Sequence, residues 1–161
     1  MISCTMAGFV FSRRLTERLE LIREIQGLLM ELDNEIRYMG RPVGQALLSL
    51  SRGRNTGLAQ FLQRVCKMHR DDGITIEAAW QKNLDSFRGQ WPLRPEEWEL
   101  LLSIGEMLGK TDRAGQSSFI KMMLEKFSLQ EKKADEDRAL KEKLYKNLGV
   151  LCGLALVLVL V

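Results

Sequence analysis

Residues 15 to 39 read LTERLELIREIQGLLMELDNEIRYM, and the spacing of their apolar side chains decides the fold class. Leu15, Leu19, Ile22, Ile25, Leu29, Leu32, Ile36 and Met39 follow one another at steps of three or four. Side chains so spaced share one face of an α-helix and repeat nearly as a heptad. The step from Ile22 to Ile25 breaks the alternation, as a stammer does, and the helix is expected to pack lengthwise against another long helix. Gly40, Arg41 and Pro42 end it, because the residue before a proline avoids the α region and glycine tolerates a C-terminal turn.

The same spacing rules mark five more helices. Pro42 to Leu50 presents Val43, Ala46, Leu47 and Leu50 on one face, and the stretch from Gly53 to Gly57 breaks it. A third helix runs from about Thr56 to Met68 on Leu58, Phe61, Leu62 and Val65, and closes at Asp72 and Gly73. Thr75 is a fitting N-cap for a fourth, which buries Ala79, Trp80, Leu84 and Phe87 and stops at Gly89. Pro95, Glu96 and Glu97 open a fifth, with φ preset and negative charge at the positive end of the helix dipole. Its inner face would be Trp98, Leu101, Leu102, Gly105 and Leu108. Asp112 caps the sixth, which continues on Phe119, Ile120, Met123, Leu124 and Phe127. No proline follows Pro95 and no glycine lies between Gly115 and Gly149, so one helix of nearly 50 residues is expected from Asp112 onward.

Composition agrees with an all-α chain. Of 161 residues, 3 are proline and 7% aromatic, which disfavours a sandwich or barrel, and the length suits one domain. A net charge of +3 is too small and dispersed to announce nucleic-acid binding, so no nucleic-acid partner is expected. Cys4, Cys66 and Cys152 are odd in number and far apart, and His69 stands alone, so neither a disulfide framework nor a transition-metal site is expected. No cofactor is expected.

Both ends read as membrane. The run LGVLCGLALVLVLV from Leu148 to Val161 carries no charge and offers Leu148, Val150, Leu151, Leu154, Leu156, Leu158 and Leu160 to lipid. Its length as a helix, about 21 Å, is short for a hydrocarbon core of about 30 Å. Leu144 and Tyr145 extend it while Lys143 and Lys146 snorkel outward. The opening MISCTMAGFVF is apolar, but its basic residues, Arg13, Arg14 and Arg18, come after it and not before, unlike a secretory signal. It is expected to be the inner half of a transmembrane helix continued upstream, the alternative being a segment dipping into the interface. Basic residues flanking both segments put the middle of the chain in the cytoplasm. The organisation expected is a partial transmembrane helix at 1–12, a cytoplasmic helical bundle at 13–143 and a C-terminal transmembrane helix at 144–161. The charged stretch QEKKADEDRALKEK, 130–143, reads as solvated helix surface or a stalk above the membrane.

Catalytic motifs fail one by one. Gly105 to Thr111, GEMLGKT, resembles a phosphate-binding loop but has three residues between its glycines where four are needed, and a helix precedes it instead of a strand. It reads as the turn between helices five and six. His69 stands at a helix end as an exposed cap, and the pairs Asp71–Asp72 and Glu96–Glu97 are sequence neighbours that do not face each other on a helix. Trp80, Trp91 and Trp98 read as core or turn packing. No enzyme is expected.

A larger pattern carries the functional reading. Leu32-x-x-Glu35-Ile36-x-Tyr38 is followed by Pro42-Val43-x-x-Ala46-Leu47, Ala79-Trp80, Glu97-x-Glu99-x-Leu101 and Gly105-Glu106-x-Leu108-Gly109-x-x-Asp112-Arg113-x-x-Gln116. It closes with Lys146-Asn147-Leu148-Gly149-Val150-Leu151-x-Gly153-Leu154. In this order the chain resembles the stage III sporulation protein AB family, with Val43 in place of the usual leucine. The resemblance implies an antiparallel six-helix bundle, similar to the platform protein of type II secretion and type IV pilus systems, with long first and last helices running into the membrane. It implies a scaffold in the mother-cell membrane around the forespore, part of the secretion-like channel needed for endospore formation. The implied partners are the other channel proteins, including a cytoplasmic secretion-type ATPase, with self-association left open. The polar residues best placed for docking are Lys110, Asp112, Arg113 and Gln116. Alternatively, Asp112 only caps a helix and Arg113 only pairs with Glu106 or Glu97. The competing reading is a tail-anchored adaptor outside any channel, with the first and last helices forming a coiled-coil surface for a partner.

Overall fold

A computed structural model describes the backbone of residues 2–108 and 113–160 and the side chains of 13–108, 115–141 and 144. Six helices form it: α1 (Ile2–Arg37), α2 (Val43–Ser51), α3 (Gly57–Asp71), α4 (Ile76–Phe87), α5 (Pro95–Met107) and α6 (Arg113–Leu160). There is no strand among the described residues.

The breaks follow local chemistry. Thr56 and Thr75 cap α3 and α4, their hydroxyls accepting the backbone N–H of Ala59 and Ala78 at 3.2 Å each. Gly40 and Gly73 take φ of 63° and 66°, a conformation that strains residues with a Cβ, and they turn the chain out of α1 and α3. α3 runs past Met68 to Asp71 and closes at Asp72 and Gly73, as expected. α6 has 48 residues, as the absence of proline and the glycine-free run between Gly115 and Gly149 foretold.

The apolar seam of α1 faces inward. Leu19, Ile22, Ile25, Leu29, Leu32 and Ile36 are all buried, against Leu47, Phe61, Leu62, Ile120, Met123 and Phe127 of the other helices among others. An aromatic cluster fills the space between α3, α4 and α5. Phe61 meets Trp80 edge-on at 4.7 Å between ring centroids, Phe87 meets Trp91 at 4.9 Å, and Trp91 stacks on Trp98 at 5.8 Å. Trp80 is fully buried, and its indole N–H donates to the carbonyl of Leu101 at 2.8 Å. Trp98 and Leu102, expected on the inner face of α5, are only half-buried, because Leu101, Ile104 and Leu108 occupy the core side.

α1 and α6 pair along their lengths in opposite chain directions. Arg18 meets Asp137, while Arg23 and Gln26, further along α1, meet Glu131, which comes earlier in α6. The stretch 130–143 is therefore more than solvated surface: Ala134 is buried against the core and two of its carboxylates hold α1.

Candidate functional site

Where α1, α5 and α6 meet, four charged side chains form one cluster. Arg18 is 3% exposed and Glu97 not at all. The Arg18 guanidinium donates to Glu97 Oε1 from Nη2 at 2.5 Å and from Nε at 3.0 Å, and to Asp137 Oδ2 from Nη1 at 3.3 Å. Glu97 Oε2 also accepts the backbone N–H of Arg94 at 2.8 Å, which closes the first turn of α5. The Arg94 side chain reaches Asp137 in turn. Burial alone would lower the affinity of Arg18 for its proton, but hydrogen bonding to Glu97, the Glu97 charge and Asp137 outweigh it and hold the group above its ordinary value. The cluster keeps two buried charges satisfied and ties three helices at one level.

Two expectations are corrected here. Glu97 is not merely a charge at a helix start: it is fully buried and its carboxylate is engaged by Arg18. Arg18 is not an exposed membrane flank. The signal was present in the seam. Leu15, Arg18, Ile22, Ile25, Leu29, Leu32 and Ile36 step by three and four in strict alternation, so the irregular step assigned to a stammer is a heptad whose second position is an arginine. Glu97, Leu101, Ile104 and Leu108 step by four, three and four in the same way.

From this cluster α1 continues 16 residues back to Ile2 and α6 continues 23 residues on to Leu160. Because the two run in opposite directions, both continuations leave the bundle at one end. Carrying the same pairing the other way brings the start of α6 level with the end of α1. Gly44 of α2, His69 of α3 and Ile76 of α4 also come together, at the turns that join these helices. The remote end thus gathers the α1–α2 turn, the α3–α4 turn and the beginning of α6.

Of the residues proposed for docking, Gln116 is 7% exposed and faces the core, so it is a packing residue of α6 and not a presented one. The side chains of Lys110, Asp112 and Arg113 lie outside the described residues, as do those of Leu148, Val150, Leu151, Leu154, Leu156, Leu158 and Leu160. Among the described residues no helix is long and apolar enough to cross a membrane. The phosphate-loop resemblance dissolves at its first glycine. Gly105 lies within α5 with the Trp80 indole against it, where a Cβ would fall 2.3 Å from Trp80 Cδ1. His69 is exposed as expected, and its Nδ1–H donates to the carbonyl of Ile74 at 2.7 Å across the α3–α4 turn.

Comparison with known proteins agrees with this architecture. The family model described as stage III sporulation protein AB matches residues 1–161. The stage III sporulation protein AB of Bacillus subtilis (strain 168) is 29% identical over 160 residues, 99% of this chain and 94% of that protein. A solved structure of a stage III sporulation protein AB superposes with a TM-score of 0.69 at 24% identity, covering 77% of this chain and 98% of that one. The match spans every helix described above, and the chain belongs to the stage III sporulation protein AB family.

Proposed function

We propose that this protein is a non-enzymatic membrane platform: an antiparallel six-helix bundle anchored in the mother-cell membrane around the forespore by the apolar ends of α1 and α6. In this role it serves the secretion-like channel of sporulation and docks a cytoplasmic secretion-type ATPase. One observation carries the reading. The pairing of Arg18 with Asp137 and of Arg23 with Glu131 sends both apolar ends out of the bundle on the same side, as two segments entering one bilayer must leave it. The basic residues Arg13, Arg14, Lys143 and Lys146 then flank the membrane on the bundle's side, in keeping with a cytoplasmic bundle. The remote end, with Lys110, Asp112 and Arg113 near it in the chain, is left to face a cytoplasmic partner.

The test is Arg113→Glu in a sporulating host. The reading predicts blocked sporulation with unchanged helicity and melting temperature of the purified protein. Normal spore counts, or a block accompanied by lost helicity, would remove the support for docking at this turn.

The adaptor reading draws on a separate observation. Met122, Leu129, Leu140 and Leu144 are exposed along α6 at steps of seven, eleven and four, which keeps them on one face. The α1 seam from Leu15 to Ile36, however, is spent inside the bundle, so it does not join that face of α6 in a shared coiled-coil surface.

A further inference from the structure

The outer face of α2 borders two adjoining hollows at the remote end. The larger, about 640 Å³, lies between α2, α3 and the start of α4, and its walls include Val43, Gly44, Leu48, Cys66, His69 and Ile76. The smaller, about 400 Å³, shares Gln45 and Leu48 with it and ends between Arg41, Ser49 and Arg52. Together they make a trough along α2, whose nine residues span about 13 Å. Gly44 keeps the trough open, since even a Cβ there would touch Ile76 at 3.5 Å and His69 at 3.6 Å. Burial pushes the Cys66 thiol up, so that wall is a neutral thiol and not a thiolate.

Arginines line both hollows, Arg70 in the larger and Arg41 and Arg52 in the smaller. Arg41 is engaged by Glu35 at 2.9 Å, whereas Arg52 and Arg70 are exposed and make no ion pair among the described residues. The surrounding chain reinforces the sign. Residues 36–70 hold seven Lys and Arg and none of the 21 acidic residues; Asp71 and Asp72 follow Arg70 directly, and neither forms an ion pair with it among the described residues.

We propose that this trough docks a short amphipathic helix of a protein partner. Its apolar side chains, at i and i+4, fill the larger hollow, and its Asp or Glu side chains reach Arg52 and Arg70. The proposal rests on the remote end being the docking end, but not on the identity of the ATPase. A second copy of this chain is not the occupant, because the exposed apolar side chains of α6 stand among charges of both signs, Lys126 and Lys133 beside Glu125 and Glu136, with no acidic excess to answer Arg52 and Arg70.

The probe is a fluorescein-labelled helical peptide with leucines at i, i+4 and i+7 flanked by glutamates, and its counterpart with lysine for every glutamate. Anisotropy is read against the full-length protein in neutral detergent micelles. The acidic peptide is expected to bind saturably and more weakly as salt rises. The doubly substituted protein, Arg52→Glu with Arg70→Glu, should bind it at least about tenfold more weakly with an unchanged melting temperature. Equal binding of the two peptides, no saturable binding, or indifference to the double substitution overturns the proposal. Displacement of the peptide by phosphatidylglycerol vesicles as effective as by unlabelled peptide also overturns it, since the trough would then be a lipid site. No ATPase enters this assay, so a failure here is separable from a failure of the platform reading.

Discussion

Gly105→Ala should destabilise this protein, although alanine is the better helix former. Gly105 is buried in α5, and the added methyl would lie 2.3 Å from Trp80 Cδ1 and 2.5 Å from Cγ. Ordinary contact is about 3.4–4 Å, so the ring must retreat by about 1 Å. It is poorly free to do so, because its N–H is held by Leu101 at 2.8 Å and its edge meets Phe61 at 4.7 Å. Overpacking of this kind costs about 1–3 kcal/mol, and a strained or broken hydrogen bond to the buried indole adds about 1 kcal/mol. Against this stands a gain of about 1 kcal/mol from replacing a helical glycine. The net loss of about 1–3 kcal/mol lowers the melting temperature by about 3–9 °C for a chain of this size. Thermal melts followed by circular dichroism in detergent read it. In a Trp80→Phe background the same change should cost less than in the parent, because the smaller ring leaves room. An unchanged or raised melting temperature for Gly105→Ala in the parent would refute the close approach of α5 to Trp80.

Two further predictions concern the ties between α1, α5 and α6. Arg18→Met strands the fully buried Glu97 carboxylate and should cost about 3–5 kcal/mol in chemical denaturation, whereas the double substitution Arg18→Met with Glu97→Leu should recover most of the loss; a double variant as unstable as the single would show that the cluster is not a simple compensated pair. Glu131 is held below the usual carboxylate range by hydrogen bonds from Arg23 and then Gln26. A depressed folded-state value means that its stabilisation is full above the unfolded value of about 4.3 and fades as pH falls through the lower folded one. Arg23→Ala should therefore flatten the acid limb of the stability–pH curve, and an acid limb identical to the parent's would count against that contact.

How much of this was legible in the sequence depended on the range of the interaction. The caps at Thr56 and Thr75, the glycine turns at Gly40 and Gly73 and the run of α6 all act within a few residues, so their chemistry is written next to their effect. The Arg18–Glu97 pair joins residues 79 apart in sequence, and periodicity gives the face of each helix but not which faces meet. Even so, a charge standing on an apolar seam in two different helices was a usable sign that the two are partners, because an unpaired buried charge is too costly to keep. The burial of Gln116 was hidden for a related reason. A polar residue one turn before Phe119 and Ile120 reads equally as cap, surface or core until the neighbouring helices are in place. The trough along α2 had no local signal except the long acid-free stretch around it, which composition averaged over the chain conceals.

A membrane-held bundle that recruits a cytoplasmic ATPase should reveal itself in liposome flotation. The full-length protein is reconstituted into vesicles, mixed with a secretion-type ATPase of the sporulating host, and floated through a density gradient. The protein should float after a carbonate wash and carry the ATPase with it, and Arg113→Glu should leave the ATPase at the bottom while the protein still floats. A protein that washes off the vesicles, or an ATPase that stays at the bottom with the parent protein present, would contradict the platform reading.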